Sequence, residues 1–278
     1  MDKVLLINKP SGMTSFDVVH KCKKIFHEKK VGHTGTLDPE AEGLLIVLMG
    51  KYTKFLPYAI KDKKRYIAEF TLGYKSDTED IWGNLEEVNY HELYMDEVNK
   101  IIPKFTGEIE QIPPMYSAIK VNGKKLYEYA REGIEIEREA RKVFINELEI
   151  EKIDERKYLL KATVSSGTYI RTLITDIAKA LGESAVMSKL TRVAIEHCKI
   201  EDAIKLEDLN EDYLGINPLD IVSEEYERVI VEDIHQAIHG IPMVLEGHSA
   251  KIIIVKNDEA IAVYEKRGSK YYCVRGLM

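Results

Sequence analysis

From Arg65 to Tyr74 the chain alternates without a break. Tyr66, Ala68, Phe70, Leu72 and Tyr74 fall on one face, and Ile67, Glu69 and Thr71 on the other. A period of two over this length specifies a strand with one face against a core. Two other stretches are apolar throughout and read as buried strands. These are Val4–Asn8, ended by the turn residues Lys9-Pro10-Ser11-Gly12, and Leu44–Met49. Val143–Ile153 and Tyr158–Val164 read as a strand pair around Asp154-Glu155-Arg156, and Leu190–Ile200 as a further strand.

Helical spacing separates these strands. Thr14 or Ser15 caps a helix whose expected apolar face is Phe16, Val19, Cys22 and Phe26. A second helix starts after Ser165-Ser166-Gly167-Thr168. It carries the stripe Ile170, Leu173, Ile174, Ile177, Ala178 and Leu181, and Gly182 closes it. Met95–Phe105 has helical spacing with a proline near its end, and Lys75–Gly83 is a polar, acidic loop. Gln111–Glu139 breaks the pattern with two prolines, mixed charge and three tyrosines, and reads as an excursion from the core. Asn217-Pro218 marks a boundary. Beyond it, short strands at Arg228–Val231, Lys251–Val255, Ala260–Tyr264 and Tyr271–Val274 suggest a small β-rich appendage.

Composition narrows the partners. Cys22, Cys198 and Cys273 are odd in number and far apart, so a disulfide framework or a zinc site is not expected and a reducing cytoplasm fits. The N-terminus lacks a signal-peptide pattern, and no run approaches the roughly 18 apolar residues of a membrane span. The net charge of −7 argues at first against a nucleic-acid partner, but the charge is unevenly placed. Gly50–Arg65 has six basic residues against one acidic, whereas Ile195–Asp233 has thirteen acidic against three basic. Phosphate binding depends on local potential, so a basic face survives the total.

The chemistry-bearing stretch is Gly32-His33-Thr34-Gly35-Thr36-Leu37-Asp38-Pro39. Pro39 pushes Asp38 towards an extended conformation, which fixes where its carboxylate points. The same residues also fit a plain helix start, with Asp38 as N-cap and Pro39 at the first helical position. Arg171 is the second anomaly. With Thr168 as N-cap it sits in the first turn, where a cation faces the positive end of the helix dipole and wants a carboxylate. Asp38 is one candidate partner, and a local Asp or Glu is the other. Asp38 with Glu40 or Glu42 offers a glycosidase-like carboxylate pair. His33 lacks partners at metal-ligand spacing, and neither a Gly-x-Ser-x-Gly elbow, a P-loop nor Gly-x-Gly-x-x-Gly occurs.

Taken together, several stretches resemble the TruB family of tRNA pseudouridine-55 synthases. They are Asn8-Lys9-Pro10-Ser11-Gly12-Met13-Thr14-Ser15, Gly32 through Gly43 and Thr53-Lys54. Further on come Arg65-Tyr66, Pro113-Pro114-Met115-Tyr116-Ser117-Ala118 and Gly167-Thr168-Tyr169-Ile170-Arg171-Thr172-Leu173. The resemblance implies an α+β fold, with a mixed, mostly antiparallel central sheet flanked by helices. It also implies a thumb-like insertion at about 111–139 and a small PUA-like module. The expected domains are 1–216, catalytic, and 217–278, C-terminal. By matching position, Asp38 is the essential aspartate, Arg171 its partner and Tyr66 the tyrosine against the target base. His33 contacts the RNA loop, and Tyr169 and Leu190 shape the pocket. Lys9, Lys54, Lys64, Arg65, Lys120, Lys124, Lys125 and Arg131 become candidates for RNA contact. The resemblance further implies a cytoplasmic monomer acting on the T-arm of tRNA, with no metal, no cofactor, no protein partner and no membrane. The short C-terminal part and the run Thr191-Arg192-Val193-Ala194-Ile195-Glu196 depart from the family pattern. An RNA-binding module that folds tRNA without modifying it is the rival reading.

Overall fold

The continuous apolar runs at the N-terminus are strands with both faces buried. In the computed structural model, which describes residues 1–278, β1 spans Lys3–Lys9 and β3 spans Glu42–Met49. They pair antiparallel, with Val4 opposite Leu48 and Lys9 opposite Gly43, and β2 (Val31–His33) pairs with β3. Leu5, Ile7, Leu45, Val47 and Met49 point to one side and meet Val18, Cys22 and Phe26 of the α1 region, α1 itself being Ser15–Ile25. Val4, Leu6, Leu44, Ile46 and Leu48 point to the other and meet Phe55, Ile221, Ile253 and Val263. A strand packed on both faces has no polar positions to spare, which explains the unbroken runs. Each such side chain contributes about 1.5–3 kcal/mol by leaving water.

The chain forms two compact units, Met1–Lys61 with Ile195–Met278, and Asp62–Ala194. Helix α1 of the first opens on a capping box. Thr14 Oγ1 accepts from the Asp17 amide at 3.0 Å, and Asp17 Oδ2 accepts from the Thr14 amide at 2.9 Å. The buried stripe of α1 is Ser15, Val18, Val19 and Cys22. Phe16, expected on that face, is 60% exposed. The stripe turns towards Ser15 because its hydroxyl is bonded to both the amide and the carbonyl of Leu37.

The second unit is built on β4 (Lys64–Leu72), the alternating strand of the sequence. Tyr66, Ala68, Phe70 and Leu72 are buried as the pattern requires. The hairpin of β5 (Tyr74–Ser76) and β6 (Leu85–Glu87) follows, and then α2 (Met95–Ile101). Next comes β7 (Gly107–Gln111), a strand that no sequence periodicity marks. Two-residue strands β8 (Lys120–Val121) and β9 (Lys124–Lys125) and helix α3 (Leu126–Arg131) make up the insertion. The hairpin β10 (Arg141–Lys152) and β11 (Lys157–Val164) lies where expected. Helix α4 (Ile170–Ala180) and β12 (Ala185–Ile195) complete the unit. Its strands run in the order β12-β4-β11-β10-β7, with β4/β11, β11/β10 and β10/β7 antiparallel.

Three boundaries differ from expectation. β12 begins at Ala185, five residues before Leu190, because the Schellman closure of α4 turns the chain straight into it. Gly182, at φ +82°, donates to Lys179, and Glu183 to Ala178. β12 ends at Ile195, where Glu196 takes a left-handed φ of +50°. Helix α4 starts at Ile170 rather than after Thr168, because Gln111 bonds both the amide and the carbonyl of Tyr169.

The chain returns to the first unit through the short β13 (Cys198–Lys199) and β14 (Ile204–Lys205), the latter parallel to β1. A four-stranded sheet follows: β15 (Glu227–Ile230), β16 (Lys251–Lys256), β17 (Glu259–Arg267) and β18 (Lys270–Gly276), with α5 (His235–Ile238) after β15. One face of this sheet has its own core of Val229, Ile252, Ile254, Ile261, Tyr264 and Tyr271. Its other face joins the core of β1 and β3 through Ile253, Val255, Val263 and Leu277. The expected boundary at 217 therefore falls inside one unit, whose N- and C-terminal segments share a core.

Candidate active site

Asp38 sits in a loop gripped through the backbone on both sides. On the N-terminal side the Leu37 amide donates to Ser15 Oγ at 2.9 Å. On the C-terminal side the Pro39 carbonyl accepts from Lys9 Nζ at 2.9 Å. The Lys9 ammonium also donates to the carbonyls of Pro10 (2.9 Å) and Met13 (2.5 Å), and the side chain is fully enclosed. Burying a cation is costly unless its donors are met, and these carbonyls meet them. Lys9 is therefore a clasp between two loops. Its charge is not presented to a phosphate, which corrects the expected RNA contact.

Asp38 opens a β-turn rather than a helix. Its carbonyl accepts from the Ala41 amide at 3.1 Å, with Pro39 at the second position of the turn. Ser11 Oγ donates to Glu40 at 2.8 Å, a further tie between the same two loops. The Thr34 amide donates to Ile46, and His33 Nδ1 accepts from the Gly35 amide at 3.3 Å, so the imidazole is held against its own loop. Lys54, in the 3₁₀ turn after β3, donates to the carbonyl oxygen of Met278.

In the second unit Arg171 is 4% exposed, at the second position of α4. Its Nη1 donates to the Thr78 carbonyl at 2.7 Å and its Nη2 to the Tyr116 carbonyl at 2.9 Å. Nη1 also lies 3.6 Å from Asp80 Oδ2. A cation here opposes the helix dipole and is desolvated; a carboxylate and two carbonyls offset both effects. Asp80 is itself fixed, since its Oδ1 accepts from Thr78 Oγ1 at 2.6 Å and from the Trp82 amide at 3.1 Å. Main-chain bonds from Ile81 to Met187 and from Met187 to Glu79 pin the loop on either side. Glu79 takes a left-handed φ of +64° and accepts from Thr172 Oγ1 at 2.6 Å; burial pushes its carboxyl above the ordinary range.

Sequence reasoning missed Asp80 and Glu79, which lie in the segment read as a plain acidic loop. The available signal was the cation in the first turn of α4, which demanded a carboxylate that local sequence did not supply. Tyr66 is buried on β4 opposite Ala162, and Leu190 and Arg192, both buried, share one face of β12. Tyr169 is the N-cap residue of α4, with its backbone held by Gln111.

The insertion is better anchored than an excursion from the core. Gln111, Pro113, Pro114, Ser117 and Leu126 are buried, and Arg138 Nη1 donates to the Pro113 carbonyl at 3.2 Å. Its tip is a hairpin with Asn122-Gly123 at its turn, both in left-handed conformations (φ +52° and +83°). The cations there lie against tyrosines: Lys124 over Tyr129 at 4.6 Å, and Lys125 and Arg131 both over Tyr127 at 5.2 Å. Lys124 also pairs with Glu132, while Lys120 is exposed. At the root of β4, Lys64 donates to Ser166 at 3.0 Å, and Arg65 pairs with Glu147 at 3.2 Å.

Known structures share this architecture. A chain in the crystal structure of a Cbf5-Nop10-Gar1 complex superposes with a TM-score of 0.72 at 27% identity, over 99% of this chain and 85% of that one. A chain in a structure of an H/ACA RNP bound to a substrate RNA containing 2'-deoxyuridine gives 0.71 at 25%, with the same coverage. The fold is thus that of a pseudouridine synthase.

The sequence model for the TruB family pseudouridylate synthase N-terminal domain matches residues 23–170, and that for the tRNA pseudouridylate synthase B C-terminal domain matches 171–237. Proteins named tRNA pseudouridine synthase B are similar over most of their length. The one from Clostridium kluyveri is 43% identical over 98% of this chain and 94% of its own. The one from Clostridium acetobutylicum is 47% identical over 84% and 81%. The chain belongs to the TruB family of pseudouridylate synthases.

Proposed function

We propose that this enzyme converts uridine 55 in the T-loop of tRNA to pseudouridine, with Asp38 as its catalytic carboxylate. In this isomerisation the bond from ribose carbon 1′ to N1 of the base breaks, the base rotates, C5 joins carbon 1′ and gives up its proton, and N1 takes one up. Atoms balance without an external oxidant, reductant or group donor. A carboxylate serves such a step as nucleophile or as electrostatic stabiliser of the separated fragments. The observation that carries the reading is the double grip on the Asp38 loop. Lys9 and Ser15 hold the residues on either side of it, which aims one carboxylate at the expense of a buried cation.

The other roles follow the family pattern. By that pattern Arg171 is the arginine that partners the catalytic aspartate, and Tyr66 is the tyrosine against the target base. His33, Tyr169 and Leu190 contact or shape the pocket for the flipped nucleotide. Lys54, Lys64, Arg65, Lys120, Lys124, Lys125 and Arg131 supply cations to the RNA. Extruding a stacked base costs a few kcal/mol, and stacking on an aromatic ring offsets part of that cost. The reading includes a monomer acting on the T-arm in the cytoplasm, and the three unpaired cysteines support the reducing compartment.

The test is direct. Incubate the protein with unmodified tRNA or a T-arm hairpin, label with carbodiimide and map pseudouridine by primer extension. A new stop at position 55 is expected. Tight binding without any new stop would leave the non-modifying RNA-folding module as the correct reading.

A further inference from the structure

Helix α1 presents to solvent a face that its fold does not use. Phe16, His20 and Lys24 are spaced i, i+4, i+8 and so line up along one side of the helix. Phe16 is 60% exposed, and His20, Lys21 and Lys24 are exposed as well. The rings of Phe16 and His20 lie 4.5 Å apart, tilted by 50°. Lys21 and Lys23 flank the row, and Lys29 and Lys30 follow it, giving five lysines between residues 20 and 30 against Glu28 alone.

Two carboxylates border this face, and both are held in place. Asp17 is held by the Thr14 amide and hydroxyl, and Glu28 by the N-terminal ammonium at 2.7 Å. Five lysines elsewhere in the chain are ion-paired, among them Lys142 with Glu108, Lys161 with Glu151 and Lys251 with Glu225. Lys21, Lys23 and Lys24 have no carboxylate within ion-pair distance. A run of lysines without carboxylate partners in a protein of net charge −7 opposes its average field, and here it surrounds a paired Phe16 and His20.

We infer that the outer face of α1 is a second RNA-contact surface, on which Phe16 and His20 stack an unpaired nucleobase while Lys21, Lys23 and Lys24 hold the adjoining phosphates. Aromatic rings interleaved with lysines are the chemistry that binds single-stranded or looped RNA. The placement sets this surface beside the Asp38 loop. Ser15, in the first turn of the same helix, holds the amide of Leu37 beside Asp38. The inference rests on the enzyme acting on tRNA.

The experiment reads binding separately from modification. Titrate wild type, Phe16→Ala and Lys21→Gln/Lys24→Gln with full-length unmodified tRNA from low to high salt. Then measure single-turnover pseudouridine formation at saturating RNA. Phe16→Ala should weaken binding by about 5-fold or more, the range for losing one base stack. The double lysine variant should flatten the dependence of log K on log salt by about 0.7–0.9 for each phosphate it no longer neutralises. Both should keep the wild-type rate at saturation. A photo-crosslinking benzoylphenylalanine at position 16 should attach to the RNA.

Unchanged affinity and salt slope with no crosslink, in a preparation whose wild type modifies tRNA, would overturn this surface. So would a concentration-dependent dimer that Phe16→Ala abolishes while RNA affinity stays intact. Failure of the wild type to modify tRNA would instead count against the proposed reaction.

Discussion

The Asp38 loop and the Arg171 site solve the same problem in opposite ways. Around Asp38 the structure immobilises the neighbours: Leu37 through Ser15, Pro39 through Lys9, and Glu40 through Ser11. Around Arg171 it immobilises the charged group itself, with two carbonyls and the Asp80 carboxylate on one guanidinium. The difference follows from side-chain length. A short carboxylate has only two side-chain torsions left once its backbone is set, whereas an arginine has twice as many and must be fixed at its far end. Substitutions next to Asp38 should therefore act through the loop, and substitutions next to Arg171 should act on the cation directly.

The most severe break is Asp38→Asn. It keeps size and backbone and removes only the charge. Pseudouridine formation should fall by roughly 10³-fold or more while tRNA affinity stays near wild type. Modification at the wild-type rate would remove Asp38 from the chemistry. Next come Arg171→Lys and Asp80→Asn, which attack one pair from its two sides. Arg171 bonds the Thr78 carbonyl from Nη1 and the Tyr116 carbonyl from Nη2, and the single nitrogen of a lysine cannot stand at both positions, so kcat should fall by about 10²-fold with little change in KM. Asp80→Asn should fall less and in the same parameter, and combining the two changes should cost less than the sum of the single effects. Strict additivity would show that Asp80 does not act through Arg171. Arg171→Ala is the harsher control. It removes the cation beside the Asp80 carboxylate and the donor of two carbonyls, with a stability cost of about 3–5 kcal/mol, visible in urea unfolding.

Lys9→Met tests the other half of the comparison. Methionine fills much of the volume but leaves three carbonyls without their donor. Stability should drop by about 2–4 kcal/mol. Activity should fall with it even when the variant is assayed well below its unfolding temperature, because the Pro39 side of the loop is released. A variant as active and stable as wild type would mean that the clasp does not aim Asp38.

How much of this was legible depends on whether a residue's role is local. The runs around Leu5 and Leu45 and the alternation from Tyr66 to Leu72 announced their strands, because strand period and burial coincide there. Gly182 announced the end of α4 because only a left-handed residue closes a helix that way. Phe16 misled because helical spacing fits two stripes, and the tie from Ser15 to Leu37 chooses between them. β7 was invisible: Gly107–Gln111 contains one aliphatic side chain, Ile109, and its place comes from pairing with β10. The family motifs singled out Asp38 and Arg171. Nothing in a lysine's neighbours says that it is enclosed, so Lys9 read as a phosphate contact. Asp80 depends on a partner 91 positions away and had no signature of its own.

Glu79 gives the mildest test and the one that isolates burial from pairing. Its carboxyl is raised chiefly by desolvation, which outweighs the lowering by the Thr172 hydroxyl and by Arg171. A carboxyl whose folded pKa lies above its unfolded one binds more protons when folded. Its contribution to stability is then complete below the unfolded pKa and is lost as pH rises through the folded pKa. Glu79→Gln should keep an acceptor for Thr172 and remove this loss. Measured by urea unfolding, the variant should gain stability relative to wild type as pH rises from about 4.5, the ordinary glutamate value, towards neutrality. The gain should level off once Glu79 is fully ionised. If the two proteins instead keep a constant stability difference across that range, Glu79 does not titrate from a buried site. The main-chain bonds beside Asp80, rather than the Glu79 carboxyl, would then be what shapes that loop.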